Sequence, residues 1–265
     1  MKIKTVYQYR FRRDMKLLGW GYLGTFIGLW LIPFFIRWMT SGFRAALPLK
    51  PYLATNAIEP IMVFYVFGVA TLVYSGFEWF IQNGISRRSY WTGKLLSLLT
   101  VSLIVSLINL LYRLLIAQPL GMQNYVTSGK LTFGHFVQHG NIDIFWFWLR
   151  AFSTYTLAVA LGMLIGGILG LMTRRWKLIT FILVPIIGIG LLTFFGFWLS
   201  TQNSASGGGS FYGSWLFSLF RLMTGFDGHV HYQNPLNLVV TNFILSAICL
   251  GIGYLFNRLL RLRRV

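Results

Sequence analysis

The sequence predicts an all-α integral membrane protein with six transmembrane helices, an N-terminal amphipathic interfacial helix, and a short re-entrant outer element before the last span. Three observations carry that prediction. The chain is 56% hydrophobic and only 11% charged over 265 residues, too little polar surface to cover a soluble globule of that size. Apolar runs of about 20 residues, enough to cross roughly 30 Å of hydrocarbon, recur along it. Basic clusters fall between alternate runs, the pattern that orients a multi-pass chain. Residues 1–265 therefore read as a single transmembrane domain, with spans at about 17–39, 60–81, 95–117, 146–172, 178–199 and 236–257.

Residues 1–16 precede the first span. Ile3, Tyr7, Phe11 and Met15 recur every fourth residue and form one apolar ridge on a helix, while Lys2, Lys4, Arg12, Arg13 and Lys16 spread over its other faces. Such a helix is expected to lie in the inner headgroup layer, with Tyr7, Phe11, Arg12 and Arg13 available to lipid or to a cytoplasmic partner. The apolar run that follows is too long for the core of a signal peptide, and Pro33, Arg37 and Trp38 mark the outer end of a span. Gly24 and Gly28 in this span, and Gly162, Gly166 and Gly170 in the fourth, would let helix backbones approach closely, above all within one subunit.

Orientation follows from where the cations lie. Lys2 to Lys16, then Arg87, Arg88 and Lys94, then Arg174, Arg175 and Lys177, then Arg258, Arg261, Arg263 and Arg264 all fall on one side of the six spans. The opposite loops hold only Arg44, Lys50, Lys130 and Arg221. The positive-inside rule makes the basic side cytoplasmic, so the expectation is a multi-pass protein of the cell membrane with both termini cytoplasmic. Anionic headgroups and insertion account for the formal charge of +18. Nucleic acid is not an expected partner, because no recognition module separates from the spans.

Between spans two and three, the run from Phe77 to Lys94 opens with an aromatic helix end, turns at Asn83-Gly84 and restarts with Ser86 as an N-cap. It reads as a short cytoplasmic elbow made of Asn83, Gly84, Ile85, Ser86, Arg87, Arg88, Ser89 and Tyr90. Glu78 falls near the inner end of span two, where an unpaired carboxylate is costly, and Arg87 or Arg88 after the turn is its expected partner.

On the other side, Ser204 to Ser210 is a flexible stretch followed by Phe211 to Met223, which is apolar but too short to span and so reads as re-entrant. Asn109, Arg113, Arg150 and Asn242 are polar residues at membrane depth that a substrate route could use. Snorkelling to headgroups accounts for the two arginines, and Asp143 shares a helical face with Arg150. His135, His139 and Asp143 are spaced by four, with His229 and His231 on the same side, but Gly140-Asn141 interrupts the helix that a metal site would need, so no metal is expected. The five acids, Asp14, Glu59, Glu78, Asp143 and Asp227, are scattered, so no catalytic cluster is expected. Cys249 has no second cysteine to pair with.

The Gln-Asn-Gly-Ile-Ser-Arg-Arg run followed by Lys94 resembles the coupling-helix region of type-2 ATP-binding-cassette permeases of Gram-positive bacteria. The likeness extends to the order of elements: amphipathic helix, six spans, and a long outer connection before the last. It implies a permease subunit that exports a peptide, lipid-like or amphipathic compound. Two copies of a cytoplasmic ATPase subunit, which bind ATP and Mg, and a second permease subunit, the same or different, would complete the machine. The resemblance makes Asn83 to Tyr90 the contact with the ATPase. This chain has no Gly-x-x-x-x-Gly-Lys-Ser/Thr phosphate loop and no cofactor of its own is expected. The competing classes are a membrane-embedded enzyme and a non-transporting immunity or sensor subunit.

Overall fold

The computed structural model describes residues 2–43, 57–72, 76–120, 140–172 and 234–259, and among them all regular structure is helical. Helix α1 (Lys2–Phe26) runs through a π-helical turn (Ile27–Leu31) into α2 (Ile32–Ser41). Helices α3 (Ile58–Thr71) and α4 (Phe77–Gln82) lead to the elbow. Helix α5 (Arg87–Tyr112) continues through a second π-helical turn (Arg113–Ala117), followed in the described chain by α6 (Gly140–Leu171) and α7 (Pro235–Leu259). Among the described residues four helical stretches, Ile3–Ser41, Arg87–Ala117, Ile144–Leu171 and Pro235–Leu259, are long and apolar enough to cross a membrane. That is the mark of a helical membrane protein. The expected span at 178–199 and the re-entrant piece at 211–223 lie outside the described residues.

Two elements differ from the sequence expectation. Residues 1–16 do not form a separate interfacial helix, because α1 continues unbroken from Lys2 to Phe26. No proline falls in this stretch, and its glycines weaken a helix by about 1 kcal/mol each without ending it. The stripe it buries is Val6, Arg10, Asp14, Leu18 and Thr25, offset from the apolar ridge. Phe11 and Met15 flank the core, while Ile3 is exposed. Gly93 on α5 sets this rotation. A Cβ there would fall 2.8 Å from the Val6 Cβ and 3.2 Å from the Ile3 carbonyl oxygen, so the two backbones meet at a distance only glycine permits.

The second span is likewise not one helix. Helix α3 has 14 residues, or about 21 Å of rise, short of the hydrocarbon thickness. It stops at Leu72, and α4 begins after Gly76, whose φ of 88° is a left-handed conformation that suits glycine. The end of α3 is held by a residue from another helix. Lys94 Nζ donates to the carbonyls of Ala70 at 2.7 Å and Leu72 at 3.5 Å, groups that a helix end otherwise leaves unpaired.

Residue pairings give the directions of packing. Val6 meets Gly93, Asp14 meets Ser97 and Tyr22 meets Asn109, so α1 and α5 run parallel. Tyr65 reaches the Leu17 carbonyl and Met62 meets Thr25, so α3 is antiparallel to α1. Asn242 meets Ser153, Gly253 meets Leu164 and Phe256 meets Gly167, so α7 runs parallel to α6, along the most extensive seam in the described bundle. Leu18, Met62, Val66, Val101, Tyr155 and Val159 form the centre of the core. Gly162 lies where a Cβ would be 2.6 Å from both the Ala70 Cβ and the Phe67 carbonyl oxygen, which is close packing within the chain. Gly24 and Gly28 meet nothing within 4 Å among the described residues.

Candidate functional site

The elbow is built by two successive helix caps. At the end of α4, Ile85 N–H donates to the Phe80 carbonyl and Gly84 N–H to the Ile81 carbonyl, each at 3.0 Å, with Gly84 at φ of 73°. This is the Schellman arrangement, and Ile85 packs against the apolar cluster that includes Phe80. Asn83 Nδ2 adds a bond to the Trp79 carbonyl at 2.7 Å. Ser86 then caps α5, its Oγ accepting from Ser89 N–H at 3.1 Å and lying 2.9 Å from the Ser89 hydroxyl. Gln82, Asn83, Gly84, Ser86 and Arg88 are exposed, whereas Ile85, Arg87 and Ser89 are half-buried and Tyr90 is buried. The turn thus presents a polar surface on a backbone whose Asn83, Gly84, Ile85 and Ser89 N–H groups are paired locally.

Its roots are held on three sides. Val6, Phe77, Phe80 and Tyr90 form one apolar cluster beneath it, and Tyr9 packs edge-on against Phe80 and stacks on Trp79. Arg10 donates through Nη2 to the Tyr90 hydroxyl, and its guanidinium carbon lies 5.2 Å from the centre of the Tyr90 ring. Ser97 Oγ donates to Asp14 Oδ2 at 2.8 Å. With Lys94 these residues make a polar hub in which Arg10, Asp14 and Lys94 are each at most 3% exposed. On the third side, Arg87 Nη1 donates to the Arg258 carbonyl at 2.6 Å, and Asn257 Nδ2 donates to the Arg87 carbonyl at 3.4 Å. The elbow is therefore connected directly to α1, α5 and the last turn of α7, and through Lys94 to the end of α3.

The residues singled out from sequence divide accordingly. Asn83, Gly84 and Ser86 make the turn and the cap expected of them. Glu78 is half-buried, and among the described residues no ion pair joins it to Arg87 or Arg88. Arg87 turns to the Arg258 carbonyl instead. Tyr7 donates to Thr100 Oγ1 at 3.4 Å and stacks on Phe11, so this pair packs toward α5. Arg12 is exposed and Arg13 half-buried. The sequence reading missed Arg10, Asp14 and Ser97 and placed Lys94 among the surface cations. The available signal was a second fourfold stripe, Val6, Arg10, Asp14 and Leu18, in which opposite charges sit among apolar residues, facing Tyr90, Lys94 and Ser97 spaced by four and three.

Deeper in the bundle a second polar chain links four helices, α1, α5, α6 and α3. Tyr22 donates to Asn109 Oδ1 at 2.9 Å, Asn109 Nδ2 donates to the Tyr155 hydroxyl at 2.6 Å, and Tyr155 donates to the Glu59 carbonyl at 3.2 Å. Asn242 donates to Ser153 Oγ at 3.1 Å between α7 and α6. Both asparagines join helices, as polar residues in lipid commonly do. The guanidinium carbons of Arg113 and Arg150 lie 5.3 and 5.4 Å from the centre of the Phe147 ring. His135, His139, His229, His231 and the Asp143 side chain lie outside the described residues. Among the described residues, no three metal-ligating side chains come together.

No protein-family model, characterised protein or solved structure matches this chain. What sequence and geometry define is a class: a helical membrane protein that carries a braced, polar surface elbow at one end of its bundle.

Proposed function

We propose that the chain is the membrane-spanning permease subunit of an ATP-driven exporter, in which the elbow Asn83 to Tyr90 receives the movement of a separate cytoplasmic ATPase. The resemblance of the elbow to type-2 permease coupling regions suggests the reading. One observation carries it further: the exposed turn is tied to α1, α3 and α5 by buried contacts and to α7 by hydrogen bonds nearer the surface, so a displacement of the turn is passed to four helices. A surface loop serving only topology needs no such bracing.

Helix directions support the expected six crossings. Helices α6 and α7 run parallel, and if both span, the chain must cross an odd number of times between them. The apolar run at 178–199 is suited to be that crossing. Six spans place both termini with the elbow, and the cations there make that side cytoplasmic. A peptide, lipid-like or amphipathic cargo follows from the resemblance alone. A homodimer or heterodimer of permease chains with two ATPase subunits would complete the assembly.

The test is gentle purification of the tagged protein from its native membrane, with mass spectrometry of the accompanying chains. The wild type should bring an ATPase subunit. A variant with Gln82→Glu and Arg88→Glu, both exposed on the elbow, should insert normally and lose that subunit. A wild-type preparation that holds its own oligomer but never carries an ATPase would favour an autonomous membrane enzyme or a sensor subunit instead.

A further inference from the structure

A groove of about 520 Å³ runs along α1, lined among the described residues by Thr5, Gln8, Tyr9, Arg12, Arg13 and Lys16. Three of the six are cations and none is an acid. Arg12 and Lys16 are exposed, and Tyr9 stacks on Trp79, which is itself 58% exposed, so an aromatic edge borders the basic floor. The buried stripe of the same helix, Val6, Arg10 and Asp14, points away from this face. The groove is thus separate from the polar hub.

What lies along the helix below the cations decides the ligand. At successive steps of three or four residues past Lys16 come Trp20, Leu23, Ile27 and Leu31, all exposed and without a polar group other than the Trp20 indole. Cations, then an interfacial tryptophan, then aliphatic residues follow one another down a single face. From Lys16 to Leu31 the rise is roughly 22 Å, more than the depth of one leaflet of hydrocarbon. A free phosphate or an acidic peptide would account for the basic end only. The order of the whole face matches an amphiphile with an anionic head.

We propose that this face of α1 is a binding site for an anionic glycerophospholipid. Its phosphodiester lies among Arg12, Arg13 and Lys16, its glycerol region lies level with Trp20, and its acyl chains run along Leu23, Ile27 and Leu31. The proposal does not depend on the transport reading. It requires only that α1 stand in a membrane.

The test uses the full chain, purified in detergent and stripped of lipid, with native mass spectrometry after adding dioleoyl phosphatidylglycerol or dioleoyl phosphatidylcholine. The wild type should retain the anionic lipid in preference to the zwitterionic one. Arg12→Gln with Arg13→Gln and Lys16→Gln should weaken that preference about a hundredfold, given roughly fivefold for each lost headgroup charge. Lys4→Gln with Arg88→Gln and Arg258→Gln removes as many cations from the same end and should leave it unchanged. A variant with Arg12→Lys and Arg13→Lys retains the charge, should retain the preference, and guards against misfolding as the cause. Equal loss in the groove and control variants, or no preference in the wild type, overturns the site. Displacement of the lipid by millimolar inorganic phosphate overturns the lipid assignment and leaves a phosphate site.

Discussion

Arg10 and Tyr90 meet from opposite sides of the α1–α5 seam, the guanidinium donating to the phenol oxygen while its charge lies over the ring. A cation drawn from the basic N-terminal segment is thereby buried under the elbow. Its burial is tolerable because the phenol supplies both an acceptor and a π face. Tyr90→Phe keeps the ring and removes the acceptor. The expected cost is about 1–3 kcal/mol, read as a lower midpoint of thermal unfolding in detergent. An unchanged midpoint would mean that the hydroxyl does not matter.

Lys94 should control the break in the second span. Lys94→Met retains the length and removes the donor, so the carbonyls of Ala70 and Leu72 lose their distant partner. Hydrogen exchange at the amides of Gly68 to Leu72 and at the start of α4 should rise well above wild type. Exchange confined to wild-type rates there would show that the end of α3 is set by its own sequence.

Gly162 and Gly24 offer a paired test of close packing. Gly162→Val places a side chain against Ala70 and the Phe67 carbonyl and should destabilise the α3–α6 contact by about 1–3 kcal/mol or more. Gly24→Ala, at a site with nothing within 4 Å among the described residues, should not destabilise and should gain up to about 1 kcal/mol from helix propensity. Similar effects at both would indicate that the Gly24 face is also a packed contact.

At the elbow, Gly84→Val forces a branched side chain into a left-handed conformation at φ of 73°. The cost is about 1–2 kcal/mol, and it falls on the turn rather than on the bundle. If the elbow docks an ATPase as proposed, the expected result is near-normal insertion with selective loss of ATPase co-purification. Retention of a bound ATPase at wild-type yield would argue that the turn's conformation is not read by the partner.

The legible parts of this molecule were those with local causes. Apolar runs gave helices, Asn83-Gly84 gave a turn, and Ser86 gave a cap, because each depends on residues within a few positions. The polar hub was not legible. Arg10 and Asp14 count as surface charges until α5 supplies Tyr90 and Ser97 as partners, and Lys94 counts as a loop cation until α3 offers two open carbonyls. The interrupted second span follows the same rule, since its apolar run is continuous in sequence and the device that holds its end comes from more than twenty residues further on. Glu78 shows the converse: proximity to Arg87 in sequence did not secure a pairing, because the Arg258 carbonyl took the guanidinium.

The parallel seam of α6 with α7 also imposes an order on biogenesis. Translation separates Met172 from Pro235 by about 3–12 s at ordinary elongation rates. During that interval α6 stands in the membrane without its main neighbour, and Arg87 has no Arg258 carbonyl to hold. A nascent chain therefore carries an elbow held by α1, α3 and α5 alone. The second fastening is contributed by the helix made last among those described, so a partner that recognises the fully braced elbow would discriminate finished subunits from those still being inserted.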